Sequence, residues 1–444
     1  MTKAGLLVSR SVALVSGGLM LMLSVVSAQA IEIQRVVSDQ GIEAWLVEDY
    51  SVPIVAMEYS FQGGTTQDAD DKLGATNLLS TMLDEGAGEL DSQAFQLKLE
   101  ELTMSLGFNA GRDRFYGSMR TLQVNLPEAL EMLTLAVNEP RFDEAPLERM
   151  RAQVISGLKR EEKRPQSIAG RKFSALLYPD SQYGRPSKGT VESVEKLQAS
   201  DLKAQRDKLF ARDGLKVGVV GAIDAETLKK ALDQVFAKLP EKTQLTEVKN
   251  VLPLEGKSER VDFDTPQTTI QFALPGLKRD DPQYIPAFVM NHILGGGSFS
   301  SWLYQEVREK RGLAYSVGSY LVPLEHTALL MGSTSTRADN ADEVLKVIEE
   351  QMVKMGEEGP TAEELEKAKA YLTGSYALNF DSSGAIARQL LGIQNAGLGI
   401  DYINKRNDLI DDVTLEAVRE VARDLFAGQE PSIMVVGPQT APKQ

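Results

Sequence analysis

An internal repeat limits the possible folds of this sequence more than any other feature. Three short segments recur in the same order at nearly constant separation. The pairs are Leu147-Glu148-Arg149 and Leu365-Glu366-Lys367, 218 positions apart, Lys208-Leu209-Phe210 and Asp424-Leu425-Phe426, 216 apart, and Val219-Val220-Gly221 and Val435-Val436-Gly437, also 216 apart. Such regular spacing predicts two homologous domains of about 210 residues each, within the usual size range of a domain.

The two predicted copies are separated by a stretch that lacks hydrophobic periodicity. From Pro240 to Lys257, proline and glycine interrupt a run rich in lysine and glutamate, which is typical of a linker. We therefore expect an N-terminal domain at residues 31–240, a linker at 241–258 and a C-terminal domain at 259–444. Each copy mixes helical periodicity with strand-like alternation, which predicts an α+β fold of mostly antiparallel sheets packed with helices.

Local patterns predict several individual elements. An apolar run favours a helix at Lys72–Leu83, and alternating residues favour two strands around a turn at Arg112-Asp113. A long helix is predicted at Asp143–Glu162. Thr361 and Glu364 form the pattern of a capping box, which predicts that another helix begins there.

The first thirty residues have the parts of a secretory signal peptide. Lys3 and Arg10 supply positive charge, Val12–Val26 is an apolar run, and Ala28-Gln29-Ala30 fits the small-residue cleavage pattern. The apolar run is short for a membrane span, which needs about 20 residues. We therefore expect export to the periplasm, cleavage after Ala30 and no stable membrane anchor.

Charge and cysteine content exclude several classes of function. The net charge is -15 and the pI is about 4.9, so no basic face dominates the field and a nucleic-acid partner is not expected. The chain has no cysteine, which excludes thiolate metal sites and cysteine nucleophiles. Hydrolytic or binding chemistry must therefore come from the remaining polar residues.

The stretch Leu294–Val317 places two hydrogen-bond donors at one corner. Its charged run Ser300–Arg311 predicts a helix, and Gly312 follows where a helix usually ends. Alternation then predicts a strand. Arg308 would lie in the last helical turn and Tyr315 on the strand. An arginine and a tyrosine can hold or polarise a carbonyl group, but neither is a base that activates water at neutral pH.

This stretch, LGGGSFSSWLYQEVREKRGLAYSV, resembles the second-domain signature of the pitrilysin/insulinase family of zinc peptidases, in its mitochondrial-processing-peptidase-like branch. The resemblance extends over the chain that follows the predicted signal peptide. It implies that Arg308 and Tyr315 contact substrate in a catalytic centre. It also implies a fold of two metallohydrolase-like repeats.

The zinc-binding half of the family pattern is missing. Active members carry HxxEH on a first-domain helix, with two zinc ligands and a glutamate base. Asn77, Ser80 and Thr81 occupy these positions here, and the segment Gln153–Gly157, where the resemblance places a further zinc glutamate, has no carboxylate. We therefore expect no metal and no cofactor in this chain, and a degenerate zinc motif in its N-terminal domain.

The remaining candidate residues favour structural interpretations. The chain has only two histidines. His292 lies in an apolar helix, which favours a satisfied buried or half-buried side chain, and His326 is expected at the surface where a strand begins. Gly295–Gly297 is expected to be a turn that lets two helices pack closely. The acidic cluster at residues 68–71 (Asp68, Asp70 and Asp71) is expected to be a solvated helix start, with a cation site as the alternative.

Two hypotheses from different classes follow. In the first, the chain is the zinc-less subunit of a heterodimeric metallopeptidase. A homologous HxxEH-bearing partner binds zinc, this chain supplies Arg308 and Tyr315, and the substrate is an unfolded peptide. In the second, the chain is a non-enzymatic peptide-binding or scaffold protein of the cell envelope. Retention of the Arg…Tyr pattern favours the first, and under either hypothesis the isolated chain should not hydrolyse peptides.

Overall fold

The computed structural model describes residues 32–438, and the chain from Glu32 onward forms one compact unit. The predicted signal peptide lies outside the described residues. Within them, none of the helices has the length and apolar content needed to cross a membrane.

The described chain has eleven strands and fifteen α-helices. The strands are β1 Gln34–Val37, β2 Glu43–Glu48, β3 Ile54–Gln62, β4 Ser105–Ala110, β5 Arg114–Leu122, β6 Lys216–Gly221, β7 Ser258–Asp262, β8 Gln267–Pro275, β9 Ala314–Pro323, β10 Ala328–Arg337 and β11 Ser432–Gly437. The helices are α1 Ala75–Ser80, α2 Ser92–Glu101, α3 Leu126–Asn138, α4 Glu144–Glu161, α5 Pro165–Leu177, α6 Val191–Lys196, α7 Ala199–Leu209, α8 Ala225–Phe236, α9 Tyr284–Asn291, α10 Trp302–Tyr304, α11 Ala341–Glu357, α12 Ala362–Gly374, α13 Ser383–Asn395, α14 Tyr402–Asp411 and α15 Leu415–Phe426.

The strands form two sheets with the same connectivity. The first has the order β1-β2-β6-β3-β5-β4 and the second β7-β11-β8-β10-β9. In each sheet one pair is parallel, β2 with β6 and β7 with β11, and the other pairs are antiparallel. Apart from the added β1, the second sheet repeats the first strand by strand. The predicted α+β duplication is therefore confirmed.

The predicted hairpin and capping box are also confirmed. Strands β4 and β5 flank the turn at Arg112-Asp113, and α4 matches the predicted long helix within two residues. The Thr361 hydroxyl accepts from the Glu364 backbone at 3.2 Å, while the Glu364 carboxylate accepts from the Thr361 backbone at 2.8 Å. The predicted helix at 72–83 is shorter than expected, because only α1 is α-helical there.

One face of each sheet packs on helices of its own half. In β3, alternate side chains point into the first core, where Phe61 stacks on Phe210 of the α7 C-terminus with ring centroids 4.3 Å apart. Tyr59 lies over Gly117 of β5, where an added Cβ would come 2.1 Å from the tyrosine ring. Glycine at this position therefore leaves room for a large aromatic side chain in the core.

The opposite face of each sheet is covered by a helix from the other half of the chain. Helix α5, in the first half, packs on β8 and β11 of the second sheet. Helix α13, in the second half, packs on β3 and β6 of the first sheet. These two helices are related by the internal repeat, since α13 begins and ends 218 positions after α5. The exchange makes each sheet depend on both halves for its burial.

The exchanged helices are held by apolar packing and specific hydrogen bonds. Phe173 of α5 is 1% exposed in a cluster with Ala273, Met434 and other residues of the second sheet. On α13, Gln394 Nε2 donates to the Val217 carbonyl at 2.9 Å. An added Cβ at Gly218 would lie 2.8 Å from the carbonyl oxygen of Ala387, so glycine allows α13 to approach the sheet closely.

The acidic cluster before α1 is not uniformly solvated, so that prediction is wrong for Asp68. Asp70 and Asp71 are exposed, but Asp68 is only 4% exposed. Its carboxylate accepts from the Gly74 backbone at 2.8 Å and from the Thr76 backbone at 3.0 Å. Asp68 therefore organises the start of α1 from inside the fold.

Burial raises the pKa of Asp68 to about 6, although hydrogen bonds from Thr76 and Gly74 oppose that rise. The unfolded carboxyl titrates near 3.8, so the folded state binds the proton more tightly. Stability from protonated Asp68 is present below pH 4 and lost as pH rises through 6. This difference corresponds to about 3 kcal/mol.

Replacement of Asp68 by asparagine should remove this pH dependence. We expect the free energy of unfolding of the wild type, relative to Asp68→Asn, to fall by about 3 kcal/mol between pH 4 and pH 7. Urea denaturation of both proteins across this range measures the difference. Parallel stability curves would contradict the assignment.

Candidate functional site

Arg308 and Tyr315 lie together at the edge of the second sheet. The guanidinium carbon of Arg308 is 4.8 Å from the ring centroid of Tyr315 and 4.9 Å from that of Tyr304. The arginine is thus held between two aromatic rings. Such cation–π contacts contribute about 0.5–1 kcal/mol each at exposed sites and fix the orientation of the charged group.

A glycine-terminated helix end creates this arrangement. Gly312 has φ of +61°, a conformation that favours glycine. Its backbone N–H donates to the Arg308 carbonyl at 2.9 Å, and the Leu313 N–H donates to the Val307 carbonyl at 2.9 Å. The first is the single bond of the αL C-cap motif, and the second closes a wider turn around it. The chain turns sharply here and enters β9, which places Tyr315 against the end of the preceding helix.

The two side chains keep donors available to a ligand. Tyr315 is 81% exposed. The Arg308 side chain is partly exposed, and its nearest carboxylate is that of Glu309, whose oxygen lies 3.8 Å from Nε. This separation is too long for a good hydrogen bond. The pair can therefore donate to an incoming carbonyl or carboxylate oxygen.

The helix before this corner is less regular than predicted. Instead of one helix at 300–311, the structure has a 3-10 turn at Ser298–Ser300, the short α10, and a π-helix at Gln305–Glu309 that contains Arg308. The Lys310 N–H donates to the Gln305 carbonyl at 2.9 Å, five positions earlier. Single π turns of this kind are frequent at functional sites.

The close approach of two helices expected at Gly295–Gly297 is present at Gly295, where an added Cβ would lie 2.9 Å from Leu303 of α10, and the same glycine also lies against strand β9. An added Cβ at Gly295 would lie 2.4 Å from the Ser319 hydroxyl of β9. Nearby, Asn291 Nδ2 donates to the Ser319 carbonyl at 3.2 Å, and the Ser319 hydroxyl donates to Asn291 Oδ1 at 2.7 Å. The end of α9 and its following π turn therefore cover part of the outer edge of β9.

The two histidines belong to separate parts of the structure. His292 is 8% exposed, as expected for a buried residue, and its ring stacks on Tyr371 with centroids 5.1 Å apart. Burial lowers the pKa of His292. His326 is half-buried in the turn between β9 and β10, not at a strand start, and its backbone N–H donates to the Tyr183 hydroxyl at 3.1 Å.

Two of the three side chains at the zinc-motif positions, Ser80 and Thr81, bond to the backbone of their own helix. On α1, the Ser80 hydroxyl donates to the Asn77 carbonyl at 2.7 Å, and the Thr81 hydroxyl donates to the Leu78 carbonyl at 2.8 Å. An amide and two such hydroxyls do not fit a hydrolytic zinc site, which takes histidine and carboxylate ligands. The neighbouring α4 segment 153–157 adds no carboxylate.

Across residues 32–438, no group of three or more histidine, aspartate or glutamate side chains is arranged to hold a metal ion. Arg308 and Tyr315 lie beside the core of the second sheet, whereas α1 packs in the core of the first. The corner formed by Arg308 and Tyr315 therefore offers hydrogen-bond donors for a carbonyl oxygen.

A groove of about 990 Å³ between the two halves was not predicted. It is lined by Arg114 of β5, Glu58 of β3 and Arg388 of α13, together with the β9–β10 turn. Asp113 fixes this turn by accepting from the Glu325 backbone at 3.0 Å. The groove depends on the helix exchange, which no local pattern in the sequence indicates.

Comparison with protein families assigns both halves of the chain to one family. The profile described as "Insulinase (Peptidase family M16)" matches residues 45–191, and the profile "Peptidase M16 inactive domain" matches residues 196–372. Together these ranges include the zinc-motif positions of α1 and the Arg308–Tyr315 corner.

Similar curated proteins match most of the chain. An uncharacterized zinc protease of Streptomyces coelicolor is 27% identical over 375 residues, which cover 82% of this chain and 81% of that protein. The non-peptidase homolog YmxG of Helicobacter pylori is 27% identical over 379 residues, or 84% of this chain and 86% of the relative. The beta subunit of the yeast (Saccharomyces cerevisiae) mitochondrial-processing peptidase is 22% identical over 366 residues, covering 79% and 78%.

Solved structures show the same fold. A peptidase M16 inactive domain from Pseudomonas fluorescens superposes with a TM-score of 0.86 at 28% identity, covering 93% of this chain and all of that one. A protease from Helicobacter pylori superposes with a TM-score of 0.81 at 15% identity, covering 92% of this chain and all of the other. The duplicated architecture is therefore shared over nearly the full length of the chain.

Proposed function

This chain belongs to the insulinase family of peptidases, family M16, and from this premise we propose that it is a zinc-less subunit that completes the active site of an M16 partner. The partner carries the HxxEH motif and pairs with this chain as a heterodimer. The observation that carries the proposal is the held pair of Arg308 and Tyr315, whose donors remain available beside a helix end. The relative named a non-peptidase homolog supports the absence of peptidase activity in the isolated chain.

The chemistry assigned to this chain is stabilisation of a peptide carbonyl. The N–H groups of Arg308 and the hydroxyl of Tyr315 donate to the oxygen of the bond being hydrolysed, where negative charge develops in the transition state. The partner, with zinc bound, supplies the activated water that this chain lacks. The two subunits thus divide electrophile binding and water activation between them.

The substrate is an unfolded peptide held by main-chain pairing. Strand β4 ends the first sheet and pairs only with β5 among the described strands, so its outer edge is available for an added strand. The edge of β9 is less available because Asn291 binds the Ser319 carbonyl. We further propose that the pair acts in the periplasm, as the predicted signal peptide implies.

Reconstitution tests this proposal directly. The mature chain is mixed with an HxxEH-bearing relative from the same cell, and hydrolysis of a quenched fluorescent peptide is followed for each protein alone and for the mixture. We expect activity only in the mixture and its loss on chelation. If the two proteins neither associate nor gain activity, the non-enzymatic binding or scaffold function is the better account.

Metal analysis of the isolated chain gives an independent prediction. Because α1 offers an amide and hydroxyls at the motif positions, we expect far less than one zinc per chain after dialysis against zinc. Treatment with a chelator should leave the midpoint of thermal unfolding unchanged. Stoichiometric zinc, or a chelator-dependent fall in the midpoint, would show that another set of residues forms a metal site.

A further inference from the structure

A small pocket beside α13 contains two arginines and two tyrosines. It has a volume of about 220 Å³ and lies between α13, α14 and the segment that follows β8. Its polar walls come from Arg279, Arg406, Tyr376 and Tyr402, and Gly392 of α13 lies at its side. We call it the arginine–tyrosine pocket. It is separate from the Arg308–Tyr315 corner, with which it shares no lining residue.

Arg279 is oriented by two aromatic rings. Its guanidinium carbon lies 4.3 Å from the ring centroid of Tyr284 and 5.2 Å from that of Tyr402. One of its terminal nitrogens donates to the Tyr402 hydroxyl at 2.6 Å. This contact uses one of the five N–H donors of an arginine, so donors remain for a ligand in the pocket.

Arg406 is anchored from the opposite side. Its guanidinium carbon lies 4.1 Å from the ring centroid of Tyr376, and its Nη1 donates to the Leu372 carbonyl at 2.9 Å. Burial lowers the pKa of Arg406, and the positive charge of Arg279 lowers it further, while Tyr376 and Tyr402 oppose this effect. The two cations are therefore close enough to repel each other in a half-buried place.

The arginine–tyrosine pocket has no carboxylate of its own, although Arg279 also lines the neighbouring groove, where Asp280 and Glu58 lie. The pocket lining contains no aspartate or glutamate. Over residues 32–438, no salt bridge within 4 Å joins Arg279 or Arg406 to a carboxylate, whereas Arg185, Lys188 and Arg388 beside the other pockets each have one. In a chain whose net charge is -15, this leaves a local excess of positive charge.

The first half of the chain provides an internal comparison. A second pocket lies beside α5. Four of its lining residues correspond, at the repeat offset of 218 positions, to residues that line the arginine–tyrosine pocket. Ser174 corresponds in this way to Gly392, and Lys188 corresponds to Arg406. Lys188 is paired with Glu161 at 2.5 Å. The position 218 residues after Glu161 is Asn379, which cannot neutralise Arg406. The second half of the chain therefore has a cationic residue, Arg406, at the position of Lys188 but no acidic residue at the position of Glu161.

The surface of α13 is also open at this pocket. Gly392 lies in the helix, where glycine is less favourable than alanine, and an added Cβ there would meet nothing within 4 Å. The absence of a side chain leaves the pocket accessible. A larger residue at this position would fill it without changing its charge.

We propose that the arginine–tyrosine pocket binds a carboxylate group of a peptide, either the C-terminal carboxylate or the side chain of an aspartate or glutamate. A guanidinium presents paired N–H donors that match the two oxygens of a carboxylate. The rings of Tyr376 and Tyr402 provide flat walls for the aliphatic part of the residue that carries it. That the ligand is a peptide rests on the proposed function above, whereas the preference for a carboxylate rests on the pocket alone.

Binding to the isolated mature chain tests the proposal without any need for hydrolysis. Titration calorimetry is performed with three N-acetylated pentapeptides of alanine and glycine: one with a free C-terminal carboxylate, its C-terminal amide, and the amide with one internal glutamate. We expect the free acid, the glutamate peptide or both to bind at least about tenfold more tightly than the neutral amide. Which of the two charged peptides binds more tightly identifies the source of the carboxylate.

Matched variants separate the pocket from a general charge effect. Arg279→Gln should abolish the preference for a carboxylate, and Gly392→Leu should weaken binding of the preferred peptide at least about tenfold without changing any charge. Arg388→Gln, on the same helix but paired with Glu58 in the neighbouring groove, should leave the preference unchanged. Thermal unfolding confirms that each variant is folded.

The proposal is overturned if the neutral amide binds as tightly as both charged peptides, if none of the three peptides binds, or if both pocket variants retain the preference. These outcomes are independent of the reconstitution experiment. A pair that hydrolyses peptides with no carboxylate preference would support the proposed function and refute the pocket. If the chain prefers carboxylate peptides but activates no partner, the pocket is supported and the proposed function is refuted.

Discussion

Replacement of Arg308 by alanine is expected to lower peptide hydrolysis by the reconstituted pair about a hundredfold or more. Removal of one donor that stabilises a developing oxyanion typically costs this much in kcat. The guanidinium lies against the rings of Tyr304 and Tyr315, and the Glu309 carboxylate oxygen is 3.8 Å from its Nε, so its loss removes a positioned donor. Tyr315→Phe, which deletes only a hydroxyl, should also lower kcat while leaving association of the subunits intact.

Two matched variants control for charge and surface effects. Arg311→Ala changes the same residue type three positions away, where the side chain is exposed and paired with Glu306. Tyr320→Phe changes another exposed tyrosine of β9. Both should leave kcat within about twofold. Equal activity of the pair with Arg308 and Tyr315 both replaced would refute the split active site.

Replacement of Phe173 by alanine is expected to destabilise the protein by about 3–5 kcal/mol, the usual cost of truncating a buried phenylalanine. Phe173 is 1% exposed and belongs to a cluster in which α5, from the first half of the chain, packs against strands of the second sheet. Since domains of this kind are stable by only about 5–15 kcal/mol, the variant should lose a large part of its stability. Urea denaturation measures this loss.

Hydrogen exchange shows where the effect of Phe173→Ala is felt. Amides of β8 and β11 should lose protection before those of β3, because the altered helix covers the second sheet. Phe299→Ala, the same change at a side chain that is 70% exposed, should cost less than about 1 kcal/mol. Loss of protection confined to the first sheet would contradict the exchanged packing.

The Arg308–Tyr315 corner was predictable because its determinants are local. A charged helical run, a glycine at its end and an alternating strand lie within one stretch of the sequence, and the structure joins them by bonds between near neighbours. The π turn that contains Arg308 was not predictable in this way. A backbone N–H bonds to the fourth preceding carbonyl in an α-helix and to the fifth in a π turn. Which bond forms here depends on packing against β9, and the local sequence pattern carries no information on that packing.

Burial of Asp68 and the helix exchange were missed for the same physical reason. Asp68 is satisfied partly by Gln205, which is 137 positions away, and α13 reaches the first sheet through Gln394 and Val217, 177 positions apart. Periodicity reports which face of an element is apolar, but it does not report which distant element covers that face. The repeat nevertheless predicted the duplicated architecture, since it relates whole segments and not single contacts.

The exchange of α5 and α13 also sets the order in which the molecule can be completed. Strands β3 and β6 are made early, but the helix that covers their second face ends at Asn395, and the hydroxyl of Ser60 bonds to that residue across 335 positions. Closing contacts of such sequence separation is slow, since the chain must lose much entropy before they form. During synthesis, one face of the first sheet therefore remains exposed and apolar until α13, in the C-terminal half, has been made. Such an intermediate is prone to aggregation and is the kind of chain that chaperones bind.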